Sequence, residues 1–160
     1  MFNTVGEAIA YIRKDMLEKI KGGTTCPCCG TVQKLYTTQL SKAMVKGLLH
    51  LTQDFKLGEE FHLTDYFFKL QHPEIKSAAD ASIYKLVLFN LIEEAPSKAK
   101  GYYVYTQKAV DFVTSKAMVP VNVVTYNNVI VDKSRNEVTL KGALKTESNY
   151  PASINFSVKI

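Results

Sequence analysis

Tyr84-Lys85-Leu86-Val87-Leu88-Phe89-Asn90-Leu91-Ile92-Glu93-Glu94, followed after a short basic link by Gly101-Tyr102-Tyr103-Val104-Tyr105-Thr106-Gln107-Lys108-Ala109, is the passage whose reading decides the fold. Tyr84, Leu88 and Leu91 fall at helical spacing, and Ser77-Ala78-Ala79-Asp80 upstream has the form of a capping box. The pattern predicts a helix over residues 77–92. Leu91–Ala95 and Tyr102–Thr106 then read as two strands, with Pro96-Ser97-Lys98-Ala99-Lys100-Gly101 as the turn-prone basic link between them. Thr106 is placed to cap a further helix that carries Val110, Phe112 and Val113 to about Lys116.

Upstream of this passage, Leu40, Met44, Leu48 and Leu51 form one apolar stripe, widened by Val45 and Leu49. Thr38 or Ser41 is available as its N-cap, and Gly58 lies beyond its end. A shorter helix is expected from about Thr64 to Leu70, with Pro73 as the stop. The order is therefore three helices, a two-stranded wing and a helix, which is the order of a winged helix-turn-helix. The segment Tyr84–Glu94 with Gly101–Ala109 resembles the recognition-helix-to-wing passage of MarR- and PadR-like regulators. Asn90 and Ala109 depart from that pattern, because those families usually carry glycine at both places. The whole chain is also similar to small uncharacterised bacteriophage proteins with a cysteine knuckle ahead of such a core.

Near the start, Thr4-Val5-Gly6-Glu7 is a second capping-box pattern, and Val5, Ile9, Ile12, Met16 and Ile20 continue at helical spacing until Gly22-Gly23. Val32–Tyr36 alternates and reads as a strand. After Pro120 the texture turns to β: Val121–Tyr126 and Val129–Asp132 are joined by Asn127-Asn128, a residue pair that tolerates the positive φ of a tight hairpin turn. Glu137–Leu140 and the alternating Ile154–Ile160 are expected as further strands. The fold class expected is α+β, in three parts: an N-terminal helix and cysteine knuckle over 1–37, a winged helix over 38–118 and a C-terminal β segment, a hairpin or small sheet, over 119–160.

Function is read from charge and from the cysteines. The chain of 160 residues carries a formal charge of +5, which suits a nucleic-acid binder, but almost all of that charge is lysine; Arg13 and Arg135 are the only arginines. Lysine neutralises phosphate as a point charge, whereas arginine reads guanine bidentately. The expected mode is accordingly backbone contact with duplex DNA, from Lys76, Ser77, Ser82 and Lys85 on the third helix and from Lys98, Lys100 and Tyr102 on the wing. That helix carries few groups able to read base edges between Ile83 and Ile92, and an apolar helix is also what docks on protein. The expectation is thus a dimeric DNA-binding regulator, with a phage-encoded protein that docks on and modulates a host protein as the alternative.

Cys26-Pro27-Cys28-Cys29-Gly30 contains a C-x-x-C pair, half of a zinc ribbon. Cys26, Cys28 and Cys29 are the candidate zinc ligands, with His50, His62, His72 or another subunit to complete four. A metal-free remnant and a cysteine turn packed on the core are the competing readings. No serine–histidine–acid set, Gly-rich phosphate loop or H-E-x-x-H is present, so no enzymatic activity is expected. No apolar run reaches the ~18–20 residues of a membrane span, and a cytoplasmic location, in the host if phage-encoded, is the expectation.

Overall fold

The computed structural model describes residues 22–25, 29–70 and 82–144, together with Glu7, Lys14 and Glu18 as single helical positions. The expected capping box at 77–80, Pro73, the apolar stripe of the first helix and the strand at 154–160 lie outside the described residues. Glu7, Lys14 and Glu18 are all exposed. At 100° per residue these three positions share one face.

The described chain is a mixture of helix and sheet, an α+β architecture with two compact units. One comprises Val124–Lys133 with the chain up to Thr38; the other comprises Gln39–Val123 with the chain from Ser134 onward. In the first, β1 (Thr24–Thr25) pairs antiparallel with β2 (Val32–Gln33). The alternation expected over Val32–Tyr36 is broken, since Lys34 and Leu35 lie between β2 and β3 (Tyr36–Gln39).

The second unit holds the apolar core. Helix α1 (Lys42–Asp54) starts where the hydroxyl of Ser41 accepts the amide of Met44 at 3.2 Å, so Ser41 rather than Thr38 is the cap. Its stripe Met44, Val45, Leu48, Leu49 and Leu51 is at most 4% exposed. Each such side chain contributes about 1.5–3 kcal/mol of burial. Phe61–His62 form a two-residue strand, β4, that runs directly into α2 (Leu63–Leu70). Tyr66 of α2 donates its hydroxyl to the Asp54 carboxylate at 2.5 Å, tying α2 to the end of α1.

The segment expected as an α-helix differs in the part that is described. Ile83–Phe89 is a 3-10 helix that buries Ile83, Leu86 and Phe89, while Tyr84 is 49% exposed. Three residues per turn align i, i+3 and i+6, so within the helix the buried row replaces Tyr84 and Leu88 of the expected α-type row, while Leu91 beyond its end is buried. The helix stops at Asn90, whose φ of +57° is left-handed. Its amide bonds Val87 O while the Leu91 amide reaches back to Leu86 O at 3.1 Å, the pair of bonds that defines a Schellman ending. Leu86 and Leu91, both fully buried, supply the apolar contact that accompanies it.

Next come β5 (Ile92–Glu94) and β6 (Tyr102–Tyr105), antiparallel with Ile92 opposite Tyr105 and Glu94 opposite Tyr103. Strand β6 also pairs with β4, Phe61 opposite Tyr103 and His62 opposite Tyr102, giving a sheet in the order β4-β6-β5. Tyr105 is 1% exposed and donates its hydroxyl to Phe55 O, just past α1, at 3.0 Å. The Thr106 hydroxyl accepts the Ala109 amide at 3.2 Å and opens α3 (Gln107–Val113) as expected. Ala109, where the resemblance calls for glycine, is fully buried.

Strand β7 (Val119–Pro120) precedes β8 (Asn122–Tyr126) and β9 (Val129–Lys133), whose turn residues Asn127 and Asn128 have φ of +47° and +63°. Two positive φ values in a two-residue loop match the right-handed twist of the strands. The sheet order here is β3-β8-β9. The strand expected over Glu137–Leu140 is shorter: β10 (Glu137–Val138) pairs with β7, and the Thr139 hydroxyl then caps a one-turn helix α4 (Leu140–Ala143) through the Gly142 amide. No helix among the described residues is long and apolar enough to cross a membrane.

Candidate nucleic-acid interface

The β5–β6 hairpin holds Lys98, Lys100 and Tyr102 of the expected contact residues, and its strands form for a local reason. Ile92 and Tyr105, opposite each other and each 1% exposed, mark the face of the hairpin that meets the core, while Val104 on the other face is also buried beside Glu93. The turn between the strands is held by its own backbone. Ala95 N bonds Tyr102 O at 3.0 Å, Lys98 N bonds Ala95 O at 2.8 Å, and Tyr102 N bonds Ala99 O at 3.1 Å. Lys98 takes a left-handed φ of +53°, and Lys98 and Lys100 are both exposed at the tip.

Two further contacts anchor the tip from outside the hairpin. Glu60, the residue before β4, accepts the Ser97 amide on Oε1 at 3.1 Å and the Ser97 hydroxyl on Oε2 at 2.6 Å. On the other flank, Gly101 has a φ of +84°, and its carbonyl oxygen accepts the Leu63 amide at 3.0 Å. A Cβ there would lie 2.5 Å from His62 Nε2, so both the dihedral and the space call for glycine. The His62 ring meets Tyr102 edge to face at 5.0 Å. Its Nδ1 lies 3.3 Å from the Asp65 amide and 3.0 Å from the Asp65 carboxylate. Nδ1 accepts the amide where it bears no hydrogen and donates to the carboxylate where it bears one.

On the 3-10 helix, Ser82 sits at the N-terminal boundary with a left-handed φ of +53° and makes no capping bond through its side chain. Lys85 is half-buried, with Nζ 6.0 Å from the Tyr84 ring centroid, a weak cation–π contact at this exposure. Val87 and Leu88 are half-buried. Lys108 reaches back from α3 to donate to Phe89 O at 3.3 Å, where the helix leaves its last carbonyls without intrahelical donors.

Among the expected contact residues, Lys98, Lys100 and Tyr102 therefore share the hairpin, while Ser82 and Lys85 belong to the helical segment before it. Lys76 and Ser77 lie outside the described residues. The expected reading missed Glu60 and His62 as parts of this region: Glu59-Glu60 reads in sequence as a solvated acidic end, and nothing local announces that Glu60 meets Ser97. Exposed Glu93 and Glu94 on β5 also make the charge around the hairpin mixed.

Of the cysteine knuckle, Cys29 is exposed in the chain between β1 and β2, with Sγ 3.1 Å from the Thr31 hydroxyl. Cys26, Cys28 and His72 lie outside the described residues. No group of three His, Cys, Asp or Glu side chains that could hold a metal is found among the described residues, of which Cys29 is the one cysteine. His50 lies on α1 and His62 beside the hairpin.

No protein-family model, curated protein or solved structure matches the chain.

Proposed function

We propose that residues 38–118 are a winged helix-turn-helix domain and that the protein is a transcriptional regulator binding duplex DNA mainly through backbone phosphates. The observation that carries this reading is the position of β4. Two residues between α1 and α2 pair with β6, so the sheet runs β4-β6-β5 and the β5–β6 hairpin projects as a wing. A strand between the first two helices, paired to the second strand of the wing so that β6 becomes the central strand of three, is an arrangement that a helical bundle with an incidental hairpin lacks. The exposed lysines at the tip are suited to phosphate, which rewards charge without demanding the planar fork of arginine. A labelled duplex titrated by fluorescence anisotropy across salt concentrations tests the reading. Binding that weakens steeply with salt is expected, and no binding to any duplex at low salt removes it.

A second reading, docking on a host protein, draws on different residues. Phe68 of α2 is 73% exposed and Tyr84 is 49% exposed, beside the half-buried Val87 and Leu88. Aromatic residues of this kind anchor protein interfaces better than they serve DNA. Affinity capture from nuclease-treated host lysate separates the two: a stoichiometric partner that Phe68→Ala or Tyr84→Ala releases supports docking. Zinc at Cys26, Cys28 and Cys29 remains part of the proposal, with elemental analysis of the purified protein as its test.

A further inference from the structure

We infer that Glu60 is the positioning residue of the wing, holding its tip so that Lys98 and Lys100 are presented to an anionic backbone in one fixed arrangement; this rests on the DNA-binding reading above. The carboxylate uses both oxygens on a single residue, accepting the Ser97 amide at 3.1 Å and the Ser97 hydroxyl at 2.6 Å. Bonds to an ionised acceptor are shorter and stronger than neutral ones. The Ser97 hydroxyl in turn accepts the Ala99 amide at 3.4 Å, so the contact reaches past Lys98 to the residue before Lys100. Lys98 needs such support, because its φ of +53° is unfavourable for a side chain with a Cβ, and the turn must hold it there.

A tip held by its backbone bonds alone keeps more freedom until binding orders it, and that ordering weakens affinity. The anchored tip has already lost this freedom. The same carboxylate places a negative charge behind the lysines, which lowers the wing's general attraction for any polyanion. Glu60 thus has two separable effects: its hydrogen bonds strengthen binding by ordering the lysines, and its charge weakens binding.

Glutamine separates the two. In Glu60→Gln the amide oxygen accepts the Ser97 amide and the amide nitrogen donates to the Ser97 hydroxyl, so the contact persists without the charge. Glu60→Ala removes both. NMR relaxation on the full chain is expected to give backbone order parameters near ~0.85 for Lys98, Ala99 and Lys100 in the parent protein and in Glu60→Gln, and below ~0.6 in Glu60→Ala. Anisotropy with a labelled duplex is expected to show Glu60→Ala binding about 3- to 10-fold more weakly, and Glu60→Gln about 2- to 5-fold more tightly. Adding Ser97→Ala to Glu60→Ala is expected to change both readouts less than Ser97→Ala does alone, since the two side chains share one interaction and only the bond to the Ala99 amide is left to lose.

Unchanged order in Glu60→Ala overturns the inference, as does duplex binding by Glu60→Ala equal to or tighter than the parent's. If the parent protein binds no duplex, the DNA reading falls and with it the lysines' role. The order parameters then still decide whether Glu60 fixes the tip.

Discussion

Gly47 lies in the middle of α1, where an ordinary helix gains stability from alanine. Replacing an interior helical glycine by alanine is worth about 0.8–1 kcal/mol through backbone entropy alone. Here the opposite sign is expected. A Cβ at position 47 would overlap Cδ1 of Ile83 and lie 3.1 Å from its Cγ1, with Cζ of Phe67 at 3.4 Å. Ile83 and Phe67 are both fully buried, so neither can swing into solvent, and α1 must move away from the 3-10 helix or Ile83 must leave its rotamer. Overpacking of this kind costs about 1–3 kcal/mol, which exceeds the propensity gain. The net expectation for Gly47→Ala is a loss of about 1 kcal/mol. Urea denaturation followed by circular dichroism at 222 nm measures it, the chain having no tryptophan to report. Ile83→Val supplies the control, because valine lacks the overlapping methyl. Alone it costs about 0.5–1.5 kcal/mol, and combined with Gly47→Ala the total is expected to fall short of the sum by about 1 kcal/mol. A Gly47→Ala protein more stable than the parent, or strict additivity with Ile83→Val, refutes the close crossing of α1 and the 3-10 helix.

Three other outcomes follow from single residues. Lys98→Ala and Lys100→Ala are each expected to weaken duplex binding for all sequences alike and to lower the slope of log affinity against log salt by about 1, read by anisotropy. Asn90→Ala places a Cβ-bearing residue without asparagine's local hydrogen bonding at a φ of +57°; a loss of about 1 kcal/mol is expected, and Asn90→Gly is expected to match or exceed the parent in urea. Burial, then the hydrogen bond to Asp54 and its charge, raise the Tyr66 phenol above its ordinary value of 10.0. The folded state therefore keeps a proton that the unfolded state releases, so this contribution is fully present below about pH 10 and is lost as pH rises through the alkaline range. Tyr66→Phe is expected to flatten the alkaline fall in stability, and an unchanged profile between pH 9 and 11 counts against the contact.

The features legible in the sequence are those that a few neighbouring residues decide. Thr106 caps its helix because a hydroxyl three residues ahead of an unpaired amide needs no distant partner; for α1 the sequence left Thr38 and Ser41 open, and the structure has Ser41. Asn127-Asn128 forms its turn because asparagine tolerates the positive φ that a two-residue hairpin demands. The exposed lysines of the β5–β6 turn were also legible, since a basic turn between two apolar strands stays in solvent. The Glu60–Ser97 contact was not, because its partners are 37 residues apart and nothing in Glu59-Glu60 distinguishes it from a solvated acidic pair.

By itself, then, the sequence determined the apolar stripe of α1, the hairpins, the helix caps and the positive, lysine-rich character of the turn at Lys98 and Lys100. Only the tertiary structure decided that Phe61–His62 becomes a strand, that β7 finds β10, and that the described part of the third helix winds at three residues per turn. Two-residue strands carry no periodicity to read, and their partners lie far along the chain. The 3-10 winding accompanies the burial of Ile83, Leu86 and Phe89 against α1 and β5, with Gly47 supplying the close approach. Such packing depends on surfaces brought together from distant segments, which no local pattern encodes.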